Sequence, residues 1–531
     1  MSFGTFAASG ADPYGYLSEA NLLLAGQLRS PQDLADAPWP EPLWTLSPLG
    51  YRPATVPGAI VPTYPPGLPL LFAGARAAGG PCAPFYVVPL AGALLVWLTY
   101  RMGRRLLPAP AALTAALLVA VSAPFLFQLM WPMSDVPVAA LWLAAALLAV
   151  GTDGPNAGRA GIPFDSAPAT RLGQGEQAGP HDLSELPAQP LAAGLVASLA
   201  ILVRPNLAPL AGVCLLASIA KMESGRRGAD ALRRALLFVV GLVPGVVALA
   251  ALNTYLYGAW WRLGYSSTEE FYSIANIIPN LQRYGGWMID ANTPVILLAL
   301  APLVAWTRFL PSHARWRILL TGLVAGVWLS YLPYFQFDDW WYLRFLLPAW
   351  PALAVLTVAT LHAMLRKVLS GERATVATLA VVLALACVTF ARANALGAFD
   401  LRAAEQRYVD VGQHVAARTP PGSVVLSMQH SGSVRYYAGR TTVRYDLLEP
   451  EWLDRAVAFL EGRGRRPFIL LEDWEVPVFR ARFAGSATGQ LGWSPAAEWR
   501  NGKVLLFDAS DRTSDRSPER IPPARDGCAG R

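Results

Sequence analysis

Apolar residues fall along this chain in long runs, parted by short polar or basic breaks, and the runs dictate the fold. A bilayer's hydrocarbon core takes about 20 apolar residues as helix, fewer where polar ends snorkel. By that measure the pattern predicts about ten membrane spans, at residues 84–101, 109–127, 135–151, 190–203, 206–220, 235–256, 293–308, 318–335, 343–365 and 374–392. Only Arg204-Pro205 parts the fourth from the fifth, so one kinked helix competes there with two separate spans. Residues 1–83 precede the first run and are polar, aromatic and rich in proline. The connector 151–190 has Gly, Pro, Ala and Gln with little apolar periodicity, and reads as a disordered loop.

The pattern changes after Arg392. Residues 402–418 predict a helix, followed by the β-branched run Ser423-Val424-Val425-Leu426. Thr441-Thr442-Val443, a helix from Pro450 to Gly462, then Phe468 to Glu472, Arg480 to Phe483 and Val504 to Phe507 complete an alternation of strands and helices. Residues 396–510 are therefore expected to form a small α/β domain, and 511–531 a disordered tail.

Basic residues orient the spans, because Lys and Arg concentrate on the cytoplasmic side. Clusters at Arg101, Arg104 and Arg105, at Lys221 to Arg234, at Arg308 to Arg317 and at Arg366 to Arg373 all share one face when ten spans are counted. The kinked-helix count would split them across both faces, which favours two spans at 190–220. The first loop 1–83, Asp135, Arg204, Asp338, Asp339, Arg344 and the C-terminal domain then gather on the external face. The connector 151–190 lies inside. An external Asp12 requires a translocated N-terminus or a helix upstream of Met1, and the second is the expectation.

Composition agrees with a membrane protein. The 531 residues are 54% hydrophobic and 15% charged, with mean hydropathy +0.35, where soluble domains carry roughly 25% charge. The net charge of +7 lies between apolar runs rather than on one polar face, so no nucleic-acid partner is expected. Cys82, Cys214, Cys387 and Cys528 are too scattered for a disulfide framework or a thiolate metal site.

Several ionisable or rigid positions could carry chemistry. Asp12 precedes a helical stripe of Leu17, Ala20, Leu24 and Leu28 that would lie in the membrane interface, with Glu19 off the stripe. Asp12 reads equally as a helix cap. Tyr64-Pro65-Pro66-Gly67 is a rigid turn that either leads into the first span or lines a substrate. Asp135 opens the third span, where it suits the helix dipole; facing a second carboxylate, it could hold a divalent ion. Arg204 and Arg344 are basic residues in apolar surroundings on the arginine-poor face. They suit phosphate oxygens or lipid headgroups, although Asp338 or Asp339 could pair with Arg344.

The order Asp12-Pro-Tyr-Gly-Tyr-Leu-Ser-Glu19, Tyr64-Pro-Pro-Gly-Leu-Pro-Leu, Met133-Ser-Asp135-Val-Pro and Arg344-Phe-Leu-Leu-Pro-Ala-Trp-Pro resembles bacterial integral-membrane glycosyltransferases of the GT-C fold. These are relatives of the protein O-mannosyltransferases and the lipid A aminoarabinose transferase. The resemblance covers roughly residues 9–395. It implies an α-helical polytopic membrane protein of GT-C type with a small external α/β domain at the C-terminus. It also implies Asp12 as catalytic base, Arg204 and Arg344 as lipid-phosphate contacts, Glu19 and Tyr64 as substrate-binding residues, and Asp135 as a metal ligand with Asp12. The aminoarabinose transferase has Glu-Lys where this chain has Thr63-Tyr64, a departure that leaves metal dependence open.

The reaction so implied is inverting transfer of a sugar from a polyprenyl-phosphate carrier to a lipid, glycan or protein acceptor at the non-cytoplasmic face of the inner membrane. Membrane lipids are the other expected partners, and a divalent ion is the one cofactor the pattern leaves open. A non-catalytic lipid or polymer transporter is the alternative. Transporters of that kind show internal repeats and midplane charges, and neither is visible here.

Overall fold

Prolines punctuate the apolar runs and mark where several of the helices begin. The computed structural model describes residues 3–151, 188–220, 227–265, 268–310, 314–513 and 515–524. The connector expected to be disordered thus lies almost wholly outside the described residues. Proline in a first turn lacks an N–H that would go unpaired anyway, and it opens α1 (Asp12–Leu24), α2 (Pro42–Thr45), α4 (Pro84–Gly103), α5 (Ala109–Ala120), α6 (Ala123–Leu129) and α9 (Pro209–Ile219). Between them run α3 (Gly67–Gly79), α7 (Asp135–Val150) and α8 (Ala188–Val203). The long α10 (Arg227–Tyr257) follows, then α11 (Thr268–Phe271), α12 (Ile277–Asn292), α13 (Leu300–Val304), α14 (Trp306–Phe309) and α15 (Ala314–Tyr331). A 3-10 run, Trp340–Ala349, leads into α16 (Trp350–Leu365) and α17 (Gly371–Ala395).

The bundle core centres on α7 and α16, which are buried along nearly their whole lengths. Burial on all sides explains why both are apolar all round rather than striped. Helix α10 is the opposite case. Leu236, Val240, Val243 and Val247 on it are exposed, as expected of a helix that faces lipid rather than water.

The ten expected spans are not ten regular membrane-length helices. Among the described residues four helices are long and apolar enough to cross a bilayer, or up to six if two bent pairs each count as one. The run 109–127 is one bent pair, α5 and α6, turning by 62°. The expected span 293–308 breaks into a 3-10 turn, α13 and α14, and it forms with α12 a pair bent by 116°. Pro294 and Pro302 each remove a helix donor there. Helices α7, α8 and α9 are apolar but shorter. At Arg204 the backbone is extended (φ −150°, ψ 90°) between α8 and α9, because a residue before proline is pushed out of the helical region.

The first loop is not an interfacial helix with a leucine stripe. Tyr14, Tyr16, Leu17, Glu19 and Ala20 of α1 are buried, while Leu24 is exposed. Helix α3 presses on α8: a Cβ on Gly67 would lie 2.5 Å from the Leu202 carbonyl carbon. The rest of the loop forms a three-stranded antiparallel sheet of β1 (Ser30–Pro31), β2 (Tyr51–Pro53) and β3 (Ala59–Pro62), with β3 central.

Beyond α17 stand α18 (Leu401–Arg418), α19 (Ser431–Ala438), α20 (Leu453–Gly462) and α21 (Glu475–Arg482). They accompany β4 (Val424–Leu426), β5 (Thr441–Val443), β6 (Pro467–Glu472), β7 (Ala497–Trp499), β8 (Val504–Asp508) and β9 (Glu519–Arg520). These strands make one mixed sheet in the order β5-β4-β6-β8-β7-β9. Leu426 sits opposite both Val443 and Ile469. Three expectations change here. Arg480 to Phe483 belongs to the end of α21 rather than to a strand. The tail expected to be disordered contributes β9, and Ala524 N donates to Asp410 Oδ1 at 2.8 Å. Leu34, Ala37, Trp39 and Leu46 of the first loop share a core with this sheet, so the boundary near residue 395 does not separate two independent cores. Cys214 and Cys387 are free thiols and Cys82 is disulfide-bonded, a bridge that the scattered cysteines do not predict.

Candidate functional site

Helix ends from distant parts of the chain meet at one side of the bundle and leave a cavity of about 710 Å³. Its walls come from α1, the turn before α3, the α8–α9 break, the end of α10, the 3-10 run Trp340–Ala349 and α18. Asp12, Glu19, Tyr64, Arg204 and Arg344 all line it.

Asp12 sits in the first turn of α1 but makes no capping bond. Its Oδ1 accepts from the Tyr64 phenol at 2.6 Å, and its Oδ2 accepts from Arg344 Nη2 at 3.1 Å. The carboxylate remains 27% exposed, so it is oriented without being sealed off. Burial, with the Asp12 charge beside it, pushes the Tyr64 phenol well above its ordinary pKa, so the phenol stays a donor. Gly15 makes this contact possible. A Cβ there would lie 2.2 Å from Tyr64 Cε2, which gives the Tyr-Gly-Tyr of the sequence a packing reason.

Arg204 occupies the α8–α9 break. Nη1 donates to Asp135 Oδ1 at 2.7 Å and to the Tyr331 hydroxyl at 3.2 Å, and Nη2 donates to Ser134 Oγ at 3.1 Å. Its guanidinium stands 5.6 Å from the Phe345 ring centroid, and that of Arg344 stands 5.1 Å from the same ring. Two cations thus stand against one aromatic ring at the cavity wall, with Asp135 and Asp12 as the neighbouring carboxylates and Asp135 acting on both.

Asp135 is fully buried and is not among the cavity-lining residues. It lies behind Arg204 as its counterion. Asp135 pairs with Arg204, while Asp12 pairs with Arg344 and Tyr64. No group of three or more His, Cys, Asp or Glu side chains suited to a metal occurs among the described residues. Asp338 pairs with Arg283 at 2.8 Å, not with Arg344. Glu19 is buried, and its Oε2 has no hydrogen-bond partner. Burial pushes its pKa well above the ordinary carboxylate value, which favours a neutral acid in the cavity wall.

Among the lining residues that the sequence does not single out are Glu405, Arg407, Tyr408 and Gln429. On the sequence they look like the solvated face of an amphipathic helix and a loop. The available signal was that Glu405 and Tyr408 fall within one turn of Val409, on the side that packs inward.

No protein-family model matches the sequence, and no curated protein matches it. Solved structures do. The oligosaccharyltransferase of Archaeoglobus fulgidus, tethered with an acceptor peptide containing the NVT sequon, superposes with a TM-score of 0.56 at 13% identity, over 95% of this chain and 71% of that one. ArnT from Cupriavidus metallidurans bound to undecaprenyl phosphate gives 0.52 at 12% identity, over 95% of each chain. Its apo form gives 0.51 at 13% identity, over 96% of this chain and 95% of that one. The chain is similar to these proteins along nearly its whole length, and its fold is GT-C.

Proposed function

We propose that this GT-C chain is an inverting glycosyltransferase that moves a sugar from a polyprenyl-phosphate carrier to a hydroxyl-bearing acceptor at the non-cytoplasmic face of the inner membrane. The observation that carries the proposal is the Asp12–Tyr64–Arg344 arrangement, with Arg204 close by, on one cavity wall. The chemistry needs a base for the acceptor hydroxyl and positive charge for the departing phosphate, and these residues supply both.

In the proposed step Asp12 takes the acceptor's proton as its oxygen attacks the anomeric carbon from the side opposite the phosphate. The bond from that carbon to the phosphate oxygen breaks, and the carrier leaves as a phosphate monoester. Its new charge falls to Arg344 and Arg204, which are fixed before the reaction by Asp12, Asp135 and the Phe345 ring. Tyr64 holds the carboxylate in one orientation. Leu249, Leu252 and Leu256 of α10 line the cavity where that helix passes, and they suit the first isoprene units.

Sidedness has support from geometry. Arg234 donates to the Ser218 carbonyl at 3.1 Å and feels the charge of Arg315, so two of the basic clusters meet. Lys367 stands over Phe309, beside Arg308. Helix α15 runs from that basic end at Arg315 to Tyr331 in the cavity, which puts the cavity at the opposite end of the bundle. A disulfide at Cys82, at the start of α4, suits an oxidising compartment at the end away from Arg101.

The direct test is transfer in reconstituted membranes. The full chain in nanodiscs is supplied with a panel of polyprenyl-phosphate hexoses and pentoses and with cell-envelope acceptors, and products are read by mass spectrometry. Consumption of one loaded carrier with the appearance of a glycosylated acceptor is expected. Intact carriers across the whole panel, from a protein that remains folded, would overturn the proposal.

A further inference from the structure

The cavity has a second wall that the chemistry proposed at Asp12 leaves unused. Glu405, Arg407 and Tyr408 of α18 and Gln429 from the turn before α19 form it. The side chains are held from behind. Arg407 Nε donates to Glu472 Oε1 at 2.7 Å. Burial alone would raise the Glu472 pKa, yet contacts with His430 and Arg407 hold it down at about 2, so the pair stays ionised and Arg407 stays in place. The Tyr408 phenol oxygen accepts from Gln429 Nε2 at 2.5 Å and from Arg407 Nη2 at 3.1 Å, which leaves its own proton to donate. Tyr408 and Gln429 also face the turn into α1: a Cβ on Gly10 would stand 3.8 Å from the phenol oxygen and 3.9 Å from Gln429 Nε2. Gly10 is two residues before Asp12.

The chemistry of this wall selects its occupant. A carboxyl, a guanidinium, a phenol and an amide offer donors and acceptors side by side. A prenyl tail packed on them would leave the Tyr408 hydroxyl proton without an acceptor, at about 1–3 kcal/mol. A bare phosphate would meet Arg407 but would also lie against Glu405. A ring bearing several hydroxyls satisfies all four, because each hydroxyl both donates and accepts. We infer that α18 and Gln429 form a subsite for a hydroxylated glycosyl group, in the same cavity as the arginines that would take the carrier phosphate. This rests on the transferase reading and deepens it. The group could be the donor's own sugar or a glycan acceptor.

The experiment uses Tyr408→Phe, which removes the phenol proton donor, and Gln429→Ala. Arg407 is left alone because its loss would strand Glu472. Each variant, as full chain in nanodiscs, is titrated with bare undecaprenyl phosphate and with undecaprenyl phosphates carrying a hexose or a pentose. If the donor sugar occupies the subsite, both variants bind the bare carrier as the parent does. They then bind the parent's preferred loaded carrier about five- to tenfold more weakly, the size of one lost hydrogen bond. If a glycan acceptor occupies it, donor affinity is unchanged and the acceptor KM in the transfer assay rises by a similar factor. Parental donor affinity together with parental acceptor KM in both variants would overturn the inference while leaving the transferase reading intact. A parent that binds neither bare nor loaded carrier would sink both.

Discussion

Arg344 reaches across 332 residues of sequence to donate to Asp12 Oδ2 at 3.1 Å, joining the first turn of the first helix to the 3-10 entry of α16. The pair predicts two different defects. Asp12→Asn keeps size and one acceptor oxygen, so folding should hold while turnover falls at least about a hundredfold, as for a lost general base. Arg344→Ala should weaken both carrier binding and turnover, because it removes charge from bound and departing phosphate alike. Equal KM and kcat effects in the two variants, measured in the same transfer assay, would remove this division of roles.

Arg204 and Asp135 form the more deeply buried pair, with side chains 13% and 0% exposed. Removing one partner strands a charge, at about 3–5 kcal/mol. Asp135→Asn should therefore lower the unfolding temperature of the detergent-solubilised protein more than Asp12→Asn does. The double change Asp135→Asn with Arg204→Gln should regain part of that loss while carrier binding stays weak. A double variant no more stable than Asp135→Asn alone would argue against their pairing.

Gly15 carries a prediction that local sequence does not suggest. A methyl there displaces the Tyr64 ring, which stands 2.2 Å from the added carbon. Gly15→Ala should cost about 1–3 kcal/mol by overpacking and lower turnover at least as much as Tyr64→Phe, because both release Asp12 Oδ1. Wild-type turnover in Gly15→Ala would show that the Tyr64 contact does not position Asp12.

The residues that the sequence exposes and those it hides differ for a physical reason. Asp12, Glu19, Tyr64, Arg204 and Arg344 stand out because a charge or a rigid turn in apolar surroundings needs an explanation, and all five line the cavity. Asp135 stands out equally, but no local pattern shows that it pairs with Arg204, 69 residues away. Glu405, Arg407 and Tyr408 are hidden because a charged helix outside the membrane looks solvated until a second surface covers it. The bends at α5–α6 and α12–α13 are hidden too, because hydropathy windows score composition and not direction.

Sidedness has its own prediction. In a Cys387→Ala background, Gln490→Cys beyond α21 and Ser370→Cys before α17 are both exposed positions. An impermeant thiol reagent added outside intact cells (outer membrane permeabilised) should label the first and spare the second. The reverse pattern would invert the whole orientation, and with it the face on which transfer is proposed.

The last prediction concerns acid and stability around the second cavity wall. Glu475 is buried beneath Gln429. Its Oε2 accepts from the Glu472 N–H at 2.9 Å, and its Oε1 accepts from the Tyr445 phenol at 2.9 Å and from the Gln429 N–H at 3.3 Å. Burial outweighs those bonds and raises its pKa to about 7 from 4.5. Between those two values the unfolded chain has released this proton and the folded chain still holds it, so stability falls as pH rises from 4.5 to about 7, by on the order of 3 kcal/mol. Glu472 acts in the other direction. Its folded pKa of about 2 lies below 4.5, so its contribution is present above pH 4.5 and is lost as pH falls toward 2. Melting temperatures of the full-length protein should therefore decline on both sides of pH 4.5 through these two groups. Glu475→Gln cannot titrate and should flatten the upper limb, while Glu472→Gln should flatten the lower one. The slope is the readout, since either amide also disturbs local hydrogen bonds and shifts the absolute melting temperature. An upper limb of parental slope in Glu475→Gln would show that Glu475 is ionised in the folded protein throughout that range, and that the turn carrying Gln429 rests on a charged carboxylate.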